Sequence, residues 1–184
     1  MPGLSRRVAS RSIPRVYRDS RILRVCRATL IVKLALMDLQ RALRFDNWAN
    51  LETLASLKSG NAPTQAMDIL AHIVAVSQLW LSRTAGTPRP SSMWPRWTFT
   101  TIEAELDSCL AGWKSWLIEG HSGQSFDYVN SRGEPCSNTP EEVIVEIICH
   151  SAHHRGQVAL LLRQNGCEPA VSTDFIPAQR AGNF

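Results

Sequence analysis

The chain reads as an all-α protein: a four-helix bundle with a long crossover connection, and a small hairpin or irregular loop between its third and fourth helices. Three observations carry this. From Met37 onward apolar residues recur at steps of three and four, with no sustained alternation of period two. Stretches rich in Pro, Gly and Ser cut that pattern into four segments. At 184 residues, 44% hydrophobic and 20% charged, the chain has the core of one ordinary domain.

The first helix is expected from Asp38 to Lys58, with Leu39, Leu43, Asn47, Leu51 and Leu54 on one stripe, and stops at "SGNAP". The second follows Pro63 and Thr64 and runs to Arg83; Ile69, His72, Val76 and Leu79 share its inward stripe. "TAGTPRPSSMWPRW" is too rich in Pro and Gly for a helix and long enough to cross the bundle. A third helix starts near Thr100, with Glu103 placed for a capping box, and buries Ile102, Leu106, Cys109 or Leu110, Trp113 and Leu117. "SFDYVNSRGEPCSN" offers two short extended pieces around Arg132 and Gly133. The fourth helix has the strongest signals: Thr139 as N-cap, Pro140 at the first helical position, Glu142 closing a T-x-x-E box, and Asn165-Gly166 as the stop.

Charge divides the chain unevenly. Nine of the twenty basic residues precede Met37, against one acid, Asp19, while the remainder carries eleven basic and fifteen acidic side chains. Residues 1–36 are therefore read as a basic N-terminal extension outside the fold, either a start assigned upstream of Met37 or a targeting segment, with a genuine basic arm as the third reading. The bundle itself is 37–184. No basic stripe interleaved with aromatics appears there, which argues against nucleic-acid binding, and no apolar run approaches the roughly eighteen residues of a membrane span. Five scattered cysteines, without C-x-x-C, fit a reducing cytoplasm; Cys149 is expected to be a small buried residue.

"CHSAHHRGQVALLLRQNG", Cys149 to Gly166, holds three of the five histidines. His150 and His154 are four residues apart, so their imidazoles leave one helix face, about 6 Å apart at Cβ. The inward stripe of that helix reads Val143, Ile147, His150, His154, Val158, Leu161. Alone, an inward histidine such as His72 is more often a core residue bonded to a carbonyl. Several polar groups clustered in one interior call for compensation, which a bound divalent ion supplies.

"NWANLETL", "ILAHIVAVSQLWLSR", "YVNSRGEP" and "HSAHHRGQVALLLRQNGCEP" followed by "TDF" together resemble the DinB/YfiT-like bundles, in order, from Met37 to Phe175. The resemblance implies one divalent metal ion (Zn, Ni, Fe or Mn) held by His72, His150 and His154, with His153 pointing elsewhere. A homodimer is also expected. Arg155 and Gln157 are read as orienting a loop or carboxylate, and Gly156 as a close-packing position. At Glu146 the chain departs from the family pattern, which often has His there. Glu146 could be a fourth ligand, an acceptor for an imidazole N–H, or a general base; a solvated helix charge is the preferred reading.

Three imidazoles leave a coordination position open, the arrangement of catalytic rather than structural zinc sites. By resemblance the chain is then a metal-dependent enzyme acting on a small molecule, a hydrolase or a transferase of low-molecular-weight thiols. The alternative is a non-catalytic, metal-stabilised bundle or stress-response dimer. A third reading needs no metal: a helical interaction protein whose six Trp make core and interface contacts, with Trp80 and Trp113 in the core and Trp94 and Trp97 at a pocket mouth or dimer contact.

Overall fold

The computed structural model describes residues 20–58, 61–121, 123–168 and 172–184, with side chains from residue 39 onward. Its elements are α1 (Ser20–Lys58), α2 (Thr64–Thr84), α3 (Phe99–Ile118), β1 (Phe126–Val129), β2 (Pro135–Asn138), α4 (Pro140–Gln164) and α5 (Phe175–Ala181). The architecture is all-α, with a two-stranded sheet as its one β feature among the described residues. Leu36–Phe184 form one compact unit, and the packing below is internal to it.

Helix α1 begins at Ser20, well before the expected Asp38. No Pro or Gly stands between Arg15 and Ser59, so nothing in that stretch stops a helix. Of the extension read as 1–36, residues 1–19 lie outside the described residues, and those from Ser20 on are helical. Leu43 and Leu54 are buried as the stripe requires, but so is a second set, Phe45, Asp46, Ala49, Asn50 and Thr53. Part of that second face is covered by α5, which the sequence reading lacked: Phe45, Ala49 and Ala178 form a small core with Trp48 and Phe184 against it. Helix α5 follows Asp174 as N-cap, accommodates Pro177 in its first turn, and ends at Gly182 with φ of 71°.

Helix α2 is the central element. Ala71 through Ala75 are all buried, so its burial is not a stripe, and Val76 and Leu79, expected inward, are only half-buried. Gly112 of α3 marks where α2 and α3 approach closely, since a Cβ there would lie 3.1 Å from Leu81 Cδ1. Trp113 of α3 is buried and donates from Nε1 to Ser77 Oγ of α2 at 3.0 Å. The start of α3 is two residues earlier than the capping-box reading placed it. Thr98 is the N-cap, its Oγ1 accepting from Thr101 N at 3.2 Å, and Glu103 pairs with Lys58 at 2.7 Å instead of closing a box.

The hairpin is antiparallel, with Phe126 opposite Asn138 and Val129 opposite Pro135. Asn130 holds its turn, Oδ1 accepting from Arg132 N at 2.9 Å and Glu134 N at 3.0 Å, while Gly133 takes φ of 82°. Helix α4 carries the expected box: Glu142 N donates to Thr139 Oγ1 at 3.2 Å, and Thr139 N donates to Glu142 Oε2 at 2.9 Å.

The polar contact that joins α1 to α4 is buried. Arg155 Nη1 donates to Asp46 Oδ1 at 2.8 Å and to Asn50 Oδ1 at 3.0 Å, while Ser151 Oγ and Asn50 Nδ2 donate to Asp46 Oδ2, each at 3.1 Å. Arg155 is 5% exposed. Two expectations on α4 are corrected beside it. Cys149 is exposed, because it lies about 100° around the helix from His150. A Cβ on Gly156 would meet no described atom within 4 Å, so this glycine is not a close-packing position.

Removing one partner from a buried ion pair strands the other charge. Asp46→Ala is expected to cost about 3–5 kcal/mol of unfolding free energy, and Asp46→Asn, which keeps an acceptor for Arg155, clearly less. Urea denaturation of both variants checks this; equal stability of wild type and Asp46→Ala would refute it.

Candidate metal centre

Two helices build the site. His72 stands in the buried middle of α2, and His150 and His154 lie one turn apart on the face of α4 that meets it. The ring centroids are 5.1 Å apart for His72 and His150, 4.9 Å for His72 and His154, and 4.4 Å for His150 and His154. One ring nitrogen from each lies within 4.8 Å of the other two, a cluster able to hold a metal ion. Among the described residues this group consists of the three histidines alone.

The hydrogen bonds indicate which nitrogens are free. His72 Nδ1 is 2.6 Å from the carbonyl oxygen of Met93, which can only accept, so Nδ1 carries the proton and Nε2 has the lone pair. His154 Nδ1 is likewise engaged, 2.7 Å from Gln157 Oε1. His150 Nε2 is buried and without a hydrogen-bond partner among the described residues. A polar atom left so costs on the order of 1–3 kcal/mol, and in the tautomer that leaves Nε2 unprotonated its lone pair can accept a cation. The donor set therefore fits a divalent ion.

Burial pushes the His150 imidazole down to about 4, helped by the neighbouring His154, His72 and His153. His72 is lowered for the same first reason, burial, with His154 adding to it and the bond to Met93 opposing. Both are deprotonated at neutral pH, the state that ligates. The Cys109 thiol, buried against the bundle interior, is pushed up to about 12 and so stays a thiol.

The family model for the DinB family matches residues 33–179 of the 184. The chain belongs to the DinB family. It matches no curated protein and no solved structure.

Within this DinB-family bundle the three residues singled out as ligands are brought together, and the fourth candidate is not. Glu146 is exposed and lines a groove with Trp80, Tyr128, Asn138, Glu142 and Val143. His153 is exposed and bonds to Gln157 rather than joining the cluster. Two contacts to His72 come from the crossover, where the sequence reading set Trp94 at a pocket mouth without naming its partner. Besides the Met93 carbonyl, the Trp94 indole stacks on His72 with centroids 3.9 Å apart and planes 4° from parallel. The indole is 54% exposed, so it covers one face of His72 while its other face meets solvent. Gln157, read from the sequence as orienting a loop or carboxylate, meets the rings of His154 and His153 instead, three and four residues before it on neighbouring surfaces of α4.

The depressed histidines set a pH dependence for the metal-free protein. Below about 6.5 the unfolded chain protonates both, while in the fold His150 resists until about 4. The unfolded state then binds more protons, so stability falls as pH drops through that window and levels off beneath it. Urea midpoints of metal-free protein should fall between pH 7 and pH 5, and less steeply in His150→Asn; parallel slopes in the two proteins would refute the assignment.

Proposed function

We propose that the protein binds one divalent metal ion through His72, His150 and His154 and is a metal-dependent enzyme acting on a small molecule, as a hydrolase or as a transferase of low-molecular-weight thiols. The observation that carries the reading is the unpartnered, buried Nε2 of His150, set between two imidazoles whose Nδ1 atoms are already engaged elsewhere. An ion there supplies a Lewis acid with at least one position left for a substrate group. Zn, Ni, Fe and Mn all suit imidazole ligands.

The chain's own residues do the rest. Met93 and Gln157 hold two of the rings in fixed tautomers, and Trp94 shields His72 from one side. The Asp46–Arg155 pair holds α4 in place one residue from His154. Glu146, one turn before His150, is exposed and faces the groove beside Trp80 and Tyr128, which suits a solvated helix charge. A homodimer belongs to the same reading; it is supported by the outward face of α4, where Val145, Cys149, Ala152, Gly156 and Leu160 are exposed. A cytoplasmic location belongs to the same reading, and no described helix is long and apolar enough to cross a membrane.

A second reading is favoured by the same histidines coming from both α2 and α4: an ion tying two helices together would stabilise a non-catalytic bundle. Both readings expect about one ion per chain, and turnover of thiol or hydrolysable substrates separates them. Elemental analysis of the full chain should find one divalent ion, lost in the His150→Ala, His154→Ala double variant and kept in Glu146→Gln. Added zinc should raise the thermal midpoint of metal-free wild type and leave the double variant unmoved. Absence of an ion after supply of Zn, Ni, Fe and Mn in turn would overturn both readings.

A further inference from the structure

His154 has two ring nitrogens and one proton when neutral, so whichever nitrogen holds the proton is lost to ligation. Gln157 stands at the Nδ1 side, its Oε1 2.7 Å away, and an amide oxygen can only accept. The other end of the same amide is also occupied: Gln157 Nε2 lies 3.2 Å from His153 Nε2. An NH2 group needs a lone pair opposite it, which His153 offers as its Nδ1–H tautomer. Turning the amide over would bring NH2 against His154 Nδ1, move the ring proton to Nε2, and point an N–H at His72 and His150. That reversal would also require His153 to carry its ring proton on Nε2, since an oxygen would then face it.

On the opposite side of the cluster the Met93 carbonyl acts on His72 in the same way, at 2.6 Å. The carbonyl is fixed by the chain, whereas Gln157 is a side chain that has to be held. We propose that Gln157 is a positioning residue of the histidine centre: it keeps His154 as the Nδ1–H tautomer with Nε2 bare toward His72 and His150. The inference rests on the metal-binding reading above for its purpose, but the tautomer it assigns belongs to the metal-free protein and can be read without any ion.

Gln157 is exposed, so its replacement does not disturb the core. The test uses the full chain with 15N-labelled histidine. Long-range 1H–15N correlation on metal-free protein should show His154 as the Nδ1–H tautomer in wild type, a mixture or the Nε2–H form in Gln157→Ala, and the Nδ1–H form again in Gln157→Glu, whose carboxylate also accepts. Zinc affinity, measured by competition with a chromophoric chelator, should fall by about 10–100-fold in Gln157→Ala and return to within a few-fold of wild type in Gln157→Glu. A merely structural role would leave the tautomer unmoved. An Nε2–H His154 in wild type, or an unchanged tautomer in Gln157→Ala, overturns the proposal, and if zinc still binds one per chain the metal reading survives it. Failure of wild type to bind zinc, with the tautomer shifting as stated, overturns the metal reading while the hold of Gln157 on His154 stands.

Discussion

The orientation of α4 depends on one buried ion pair. Asp46 accepts from Arg155, Ser151 and Asn50, and Arg155 reaches both Asp46 and Asn50. Buried pairs of this kind contribute little net stability over apolar packing, because desolvating two charges offsets most of their attraction. Their geometric effect is larger. Ser151 and Arg155 each follow a cluster histidine by one residue, about 100° around the helix. Turning α4 by one residue would carry the guanidinium away from its only described carboxylate and the imidazoles away from α2. The pair on one face of α4 thus fixes what the other face presents.

The second constraint comes from α2. Its central turns are buried on all sides, so a histidine there must either find partners or destabilise the fold. His72 finds one in the backbone of the crossover and a stacking surface in the next residue, Trp94. The crossover is therefore part of the site and not only a link between helices. Its Pro-rich composition keeps it extended, which leaves backbone carbonyls such as that of Met93 unused by any helix and available to an imidazole.

How much of this could be read from the residues alone follows from where each signal resides. The limits of α4 were legible because Thr139, Pro140 and Glu142 act locally, and the hairpin because Asn130 and Gly133 do. The pairing of His150 with His154 follows from helical spacing. The second buried face of α1 did not follow, since Phe45 and Ala49 are covered by α5, and a seven-residue helix gives too short a pattern to detect. The true start of α3 was missed because two threonines two residues apart can each cap a helix, and Glu103 was drawn to Lys58 across the bundle. The partner of His72 is a backbone oxygen, which no residue type announces.

The charge arrangement around the histidines bears on what an ion there could do. Imidazoles are neutral ligands, so three of them leave the charge of a divalent ion uncompensated, whereas carboxylate ligands would reduce it. Among the described residues no carboxylate joins the cluster. Asp46, the buried acid, is committed to Arg155, and Glu146 and Glu142 face the groove beside Trp80 and Tyr128. The bundle thus keeps its acids off the centre while burying His72 and His150 far enough to weaken the competing proton. An arrangement serving stability alone has no need to preserve that charge, since a carboxylate ligand would hold the ion more tightly. Neutral ligands leave such an ion able to polarise a group brought in from outside, which supports the proposed enzymatic reading over the structural one.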